Sequence, residues 1–500
     1  MSGASNPAAA PAARAQATSA GFPSPRLYNR DLAPVTDKQR PWGAYHVFTL
    51  WANDVHSLGN YTFAIGLFAL GLGAWQILLT FAIGALILFG MLTLSGFVGE
   101  RTGVPFPVVS RIAFGIRGGR VPAIARGVIA IVWFGIQTYL AASVLGVLLT
   151  TLFPALAALD NTILLGLSLL GWLSFALLWI AQVVIVSYGM AMVRRYVAFA
   201  GPVILVTMLA LAGWVLVRAD FNIAWSVDAP LTGAAMWQKI LAGAGLWVVI
   251  YGTFALNVCD FTRCARDRRA IVVGNLVGIP INMLVFAAIV IVLAGAQFHI
   301  NGQIIASPAD IVRSIPEPGW RVAASLALIV LTIAVNLVAN FVAPIYMLAD
   351  LAPKVLNFQR AGLLSALLGV VILPWNLYNS PLVIEYFLGG LGAVLGPFFG
   401  LIMTDYWLVR RQRVNVPDLY SEAASGDYYY RAGINRRAFA ALVPAAIVAV
   451  LVSLLPIFQA VAGFSWFIGA ILAGLLYRVM TPNDLKAADV SGEAISRPAV

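Results

Sequence analysis

The chain has 500 residues, 61% of them apolar and 10% charged, with a mean hydropathy of +0.90. No water-soluble domain could carry that composition on its surface, so a membrane protein is the only class that fits. The formal charge of +11 would suit a nucleic-acid partner, but the basic residues are spread over several short loops instead of one face.

Residues 1–40 begin with an Ala- and Pro-rich polar tract that lacks the apolar core of a secretory signal, and they read as a disordered cytoplasmic tail. Twelve apolar segments follow, at 43–69, 74–98, 122–152, 162–190, 197–218, 236–259, 270–297, 321–348, 361–378, 382–409, 437–456 and 460–478. Each can cross about 30 Å of hydrocarbon as a helix. Every second connection is rich in arginine: Arg101, Arg111, Arg117 and Arg120, then Arg194 and Arg195, then Arg263, Arg266, Arg268 and Arg269, then Lys354 and Arg360, then Arg410, Arg411 and Arg413. On the other side, Arg218 and Lys239 are offset by Asp220 and Asp228, and Arg313 and Arg321 by Asp310 and Glu317. Cytoplasmic loops retain Lys and Arg, so this alternation puts both termini in the cytoplasm, including a C-terminal tail at 479–500.

Two spans look unlike lipid-facing helices. Span one holds the polar and Gly-rich run Asn53-Asp54-Val55-His56-Ser57-Leu58-Gly59-Asn60, and span six holds Tyr251-Gly252-Thr253 and Asn257. Polar groups in hydrocarbon are costly unless the backbone unwinds around a cavity. Interruptions at matching positions of two halves point to inverted repeats with a binding site at the midplane. The implied organisation is a five-helix repeat over 41–220, a second over 221–412, a loop at 413–436 and two further helices over 437–478. Cys259 and Cys264 fit neither a zinc knuckle nor a CxxC pair, and no metal site is expected. Gly392, Gly396 and Gly400 form a small-residue stripe suited to close helix packing.

The runs Leu27-Tyr28-Asn29-Arg30-Asp31-Leu32-Ala33-Pro34, Trp133-Phe134-Gly135-Ile136-Gln137-Thr138, Asn336-Leu337-Val338-Ala339-Asn340 with Pro344, and Asp405-Tyr406 with Leu408-Val409-Arg410-Arg411 occur in that order. Together they resemble the nucleobase:cation symporter-1 family. The resemblance implies an all-α, leucine-transporter-like fold of two inverted five-helix repeats plus two C-terminal helices, a bacterial inner-membrane location, and transport of nucleobases, hydantoins, allantoin or related vitamins. It implies a flat cargo stacked between Trp133 and Tyr251, its edge held by Gln137 and Asn340, with Ser57 nearby. Trp133 and Gln137, four residues apart, do share a helix face. A planar ureide offers a π face and an N–H/C=O edge that a carboxamide matches. Where relatives often carry Trp, Tyr251 is a smaller ring with a hydroxyl, which favours uracil or a similar pyrimidine. Hydantoin, allantoin, another purine-derived ureide or an amino acid remain the alternatives.

Sodium-coupled relatives ligate the ion with span-one carbonyls and two span-eight hydroxyls. The matching span-eight residues here are Ala334 and Val335, which offer no side-chain oxygen. Asn53, Asp54 and His56 are then the coupling candidates, and H+ is favoured over Na+. No organic cofactor is expected, and neither a monomer nor an oligomer is preferred. A membrane-embedded enzyme would need a metal motif or a nucleophile with its base, and a channel a repeated filter segment; the spans show neither. The expected function is alternating-access, cation-coupled import of a small planar solute.

Overall fold

Backbone amides in hydrocarbon have no water to bond, so each apolar run defaults to helix. The computed structural model describes residues 23–226, 231–302, 308–380, 390, 392–482, 485 and 488–495. Expectations that fall on 1–22, on 382–389 and 391, and on part of the C-terminal tail lie outside the described residues. In chain order the helices are α1 (Ala44–Val55), α2 (Leu58–Ala69), α3 (Ala74–Thr102), α4 (Phe106–Phe114), α5 (Arg120–Leu152), α6 (Leu169–Ser187) and α7 (Met190–Arg218). There follow α8 (Gly233–Asn257), α9 (Cys259–Thr262), α10 (Arg268–Leu276), α11 (Asn282–Asn301), α12 (Pro308–Arg313), α13 (Pro318–Asn336) and α14 (Val342–Leu351). The last are α15 (Phe358–Val371), α16 (Pro374–Tyr378), α17 (Gly392–Met403), α18 (Arg436–Leu454) and α19 (Ser465–Met480).

Among the described residues, ten helical stretches are long and apolar enough to cross a membrane. The first expected span is split into α1 and α2, and the ninth is the shorter α15, of 14 residues. One expected boundary moves: 162–168 is a two-stranded hairpin, β1 (Ile163–Leu164) with β2 (Leu167–Ser168). Leu165 and Gly166 both take positive φ, the twist that a two-residue hairpin turn requires.

The break in span one falls where expected. Helix α1 ends at Val55, His56 turns, and Ser57 caps α2 by accepting from Asn60 N at 3.2 Å. The break expected at Tyr251-Gly252-Thr253 does not occur. Helix α8 runs through those residues to Asn257, and the interruption comes at Val258. Gly252 serves packing instead: a Cβ there would stand 2.6 Å from Trp466 Nε1. Among the described residues, π-turns appear at Val277–Ile281, Leu337–Phe341 and Thr404–Val409. Pro280 lies within the first and Pro344 just beyond the second, and neither brings an N–H to the preceding turn.

The spans pack in two groups. Helices α1, α3, α8, α10 and α11 contact one another, as do α5, α6, α13, α14 and α15, while α7 lies against both α1 and α13. On the arginine-rich face, the expected free tail is a packed strap over its described part. Asn29 Nδ2 donates to the carbonyls of Pro353 (2.9 Å) and Leu356 (2.8 Å), Tyr420 donates to Leu32 O at 2.6 Å, and Val35 N bonds Gly103 O at 2.8 Å. Its anchors Leu27 and Leu32 are buried. Several arginines counted as loop charges are buried too. Arg111 pairs with Asp350 and donates to the Leu419 and Leu27 carbonyls, Arg263 donates to the Tyr346 hydroxyl at 2.7 Å, and Arg410 meets Asp405 at 2.9 Å.

Two glycines of the stripe, Gly396 and Gly400, pack α17 onto α19, while a Cβ on Gly392 would meet Val249 of α8 at 3.4 Å. A Cβ on Gly400 would stand 1.9 Å from the Ala470 carbonyl oxygen, and one on Gly396 2.2 Å from that of Trp466. In α7, Gly213 faces open space. Gly400→Val should therefore sharply lower the midpoint of thermal unfolding in detergent or prevent folded protein from accumulating. Gly213→Ala should be neutral or slightly stabilising, by about 0.5–1 kcal/mol of helix propensity. Equal behaviour of the two variants in a thermal-shift series would contradict this packing.

Candidate functional site

The end of α1 leaves carbonyls without helical donors, and one side chain closes them. Asn60 Nδ2 lies 2.9 Å from Asp54 O, 3.1 Å from Val55 O and 3.1 Å from the Tyr251 hydroxyl. That hydroxyl also faces the Asp54 carboxylate. Asn60 thus pins the break to α8.

Around this break the chain gathers the expected cargo residues from three helices. From α5 comes Gln137, 6% exposed, whose Oε1 is buried with no hydrogen-bond partner among the described residues. A Cβ built on Gly59, in the first turn of α2, would stand 3.8 Å from Gln137 Nε2. Half-buried Trp133 lies one turn away on the same face. From the π-turn between α13 and α14 comes Asn340, whose Nδ2 donates to Asn336 Oδ1 at 3.1 Å. Asn336 donates in turn to Thr138 Oγ1 (3.0 Å) and Gln182 Oε1 (2.7 Å), which fixes the turn against α5 and α6. No hydrogen bond is made by Asn340 Oδ1 among the described residues. Two carboxamide oxygens are therefore available as acceptors, one on α5 and one on the π-turn packed against it.

Tyr251 fits its expected stacking role less simply. It is 1% exposed, its ring meets Trp247 edge-on at 5.2 Å and lies 6.3 Å from Trp51, and its hydroxyl is engaged with Asn60 and Asp54. The hydroxyl is engaged at the break, so it does not favour uracil over the other candidates. Ser57 likewise spends its oxygen on capping α2.

The coupling candidates do not converge. Successive residues of a helix point about 100° apart, and here they reach three different neighbours. Asn53 Nδ2 donates to Thr49 O (2.5 Å) and, in α7, to Val197 O (2.8 Å), while its Oδ1 is buried and unpaired. Asp54 turns to Tyr251 of α8. His56 is held by the Tyr61 hydroxyl at 2.8 Å from Nδ1 and by Asn282 Oδ1, in α11, at 3.2 Å from Nε2. That bonding makes it a pin of the break and takes it away from the span-eight pair. Ala334 and Val335 are buried in α13.

Sequence reasoning missed Arg126. It is 1% exposed and shares the α5 face of Trp133 and Gln137, nearer the arginine-rich side. Its Nε lies 2.9 Å from both Thr253 O and Asn257 Oδ1, and its Nη2 donates to Ala339 O at 2.7 Å. The signal was available as a charge at helical spacing from two expected cargo residues. Asp260, just beyond the end of α8, is fully buried; it accepts from Asn257 Nδ2 at 2.9 Å and caps α4 through Phe106 N at 2.7 Å.

Comparison with known proteins agrees with this architecture. The family described as a permease for cytosine/purines, uracil, thiamine and allantoin matches residues 34–469. The allantoin permease of Bacillus subtilis (strain 168) is 34% identical over 461 residues, covering 91% of this chain and 94% of that protein. The purine-uracil permease of Arabidopsis thaliana is 33% identical, covering 84% and 70% respectively. Among solved structures, MHP1, a nucleobase-cation-symport-1 family transporter in a closed conformation with bromovinylhydantoin bound, superposes with a TM-score of 0.76 at 23% identity, covering 91% of this chain and 95% of that one. The polar break, the paired carboxamides and these relatives meet in one conclusion: this multi-pass chain has the leucine-transporter-like fold and belongs to the nucleobase:cation symporter-1 family of permeases, which are transporters and not enzymes.

Proposed function

We propose that the protein is a secondary active importer of a small planar ureide, with allantoin and hydantoin as the first cargo to test and uracil as the second. The observation that carries this reading is the buried Gln137 Oε1, one turn from Trp133, which has no partner among the described residues; Asn340 binds Asn336 through its Nδ2. A buried acceptor without a donor is costly, and a ureide N–H supplies the donor while its ring stacks on the indole. Allantoin comes first because the Tyr251 hydroxyl is already bonded at the break. Uracil stays as the second reading because a ring smaller than Trp at that position leaves room for a six-membered base. The arginine-rich face is assigned to the cytoplasm of a cell inner membrane, with both termini there, on the bias of the loops.

Coupling to protons is the companion proposal. Ala334 and Val335 give a sodium ion no side-chain ligand, and Asp54 is the carboxylate at the break, between the Tyr251 hydroxyl and the charge of Arg126. A carboxyl there can take up and release a proton as the two packed groups rock against each other.

Uptake of labelled allantoin by cells expressing the protein, competed by hydantoin, uracil, cytosine and leucine, tests the cargo. Competition by leucine alone would end the ureide reading. Trp133→Ala and Asn340→Ala should each weaken uptake about 10- to 100-fold at unchanged protein in the membrane, the range expected for one stacking or buried polar contact. Normal transport by both would remove the site. Asp54→Asn should abolish protonophore-sensitive accumulation yet leave cargo exchange measurable. If accumulation by that variant persists, or if replacing sodium stops the parent, the proton is not the coupling ion.

A further inference from the structure

Arg126 is a guanidinium buried between the cargo residues and the arginine-rich face, and none of the steps above employs it. Burying such a charge is tolerated only when its donors and its counter-charges are both met. Here they come from both packed groups. From the group of α8 it takes Thr253 O and Asn257 Oδ1, and from its own group it takes Ala339 O. Pro344 brings no N–H to the π-turn before it, so a carbonyl of that turn lacks a helical donor, and Ala339 O meets Arg126 instead. The counter-charges are Asp260 and Asp54, again on the side of α8 and α1. Helices α5 and α8 touch little elsewhere. Beyond Asn257 the chain of bonds continues to Asp260 and so to the first turn of α4.

We propose that Arg126 is the inner latch of the transport cycle, a positioning residue that holds α8 against α5 and the π-turn and keeps the site shut toward the arginine-rich face until cargo and cation are bound. The inference rests on the alternating-access reading above. For the site to open on that face, α8 must part from α5, and the bonds from Nε to Thr253 and Asn257 are the ones that break. Those to Ala339 stay, because α5 and the π-turn belong to one packed group. The guanidinium then remains fixed on the stationary side and re-forms the latch when α8 returns. Lysine at this position keeps the charge but cannot span three acceptors with a planar fork.

The test uses the full chain in vesicles, with Cys259 and Cys264 replaced by alanine and a reporter cysteine at Val338→Cys, which lines a small cleft on the arginine-rich side. Labelling by a membrane-impermeant maleimide is followed from that side in inside-out vesicles, alongside counterflow of labelled allantoin. Arg126→Met should raise the labelling rate about tenfold or more, with Arg126→Lys and Asn257→Ala in between, as expected for losing charge-assisted bonds that hold one state over another. Counterflow should persist in the lysine and Asn257→Ala variants. Labelling within about twofold of the parent in the variants that retain counterflow would overturn the latch. If Arg126→Met does not reach the membrane, Asn257→Ala, which removes one acceptor and leaves the charge in place, decides by the same criterion. A parent that shows no counterflow of any ureide fails the transport reading itself, and is thereby distinguished from a parent that transports without a latch.

Discussion

Hydrocarbon supplies no hydrogen bonds, and at three buried places where a helix of this chain stops or loosens a side chain closes the backbone. Asn60 closes the end of α1, Arg126 meets the carbonyl freed in the π-turn, and Asp260 caps α4. An unmet group of this kind costs several kcal/mol, more than most single packing contacts give back. The polar residues near the cargo site consequently fall into two sets. One set, with Asn60, His56, Ser57 and the Tyr251 hydroxyl, holds the irregular backbone in place. The other, with the Gln137 oxygen on α5 and Asn340 on the π-turn packed against it, keeps hydrogen-bonding capacity unused among the described residues.

That division explains what could be read in the sequence and what could not. Helix limits were legible because apolar runs are long and end in arginine, glycine or proline; α3, α5, α18 and α19 begin and end within a few residues of expectation. The break at Val55–Ser57 was legible because Asn, Ser and Gly cluster there and a lipid-facing helix would not tolerate them. The same cue misled at Tyr251-Gly252-Thr253. A glycine can mean unwound backbone or a close neighbour, and the neighbour, Trp466, lies far away in the chain. Asn53, Asp54 and His56 looked like one cluster in the sequence, yet helical geometry at the break sends them toward α7, α8 and α11. Arg126 escaped notice because it follows closely on the loop arginines Arg117 and Arg120, and charge alone does not distinguish loop from span.

The arginine bias itself carries two meanings. Arg194, Arg195 and Arg269 act as the loop charges the rule describes, whereas Arg111, Arg263 and Arg410 are buried and bind carbonyls, hydroxyls or carboxylates. The Asp405-Tyr406 and Arg410 signature belongs with them: Asp405 receives Arg410 and the Tyr477 hydroxyl, tying the end of the α17 span to α19. Part of what makes the family recognisable is thus the mortar of this face, and another part is the cargo site.

The strap over residues 24–40 has a consequence for how the chain is made. It is made early, yet Ser24 bonds Glu422, Leu32 bonds Tyr420 and Asn29 bonds the turn before α15, all of which are synthesised hundreds of residues later. The strap can meet Gly103 and Arg111 early, but its bonds to Tyr420 and Glu422 form only after ten spans have been made. The strap is fully bonded only once residues 420–422 have been made, so a chain interrupted or misinserted before them leaves Leu27 and Leu32 less covered than the folded protein does. Quality-control proteases that sample that side of the membrane would find there a ready distinction between complete and incomplete transporters.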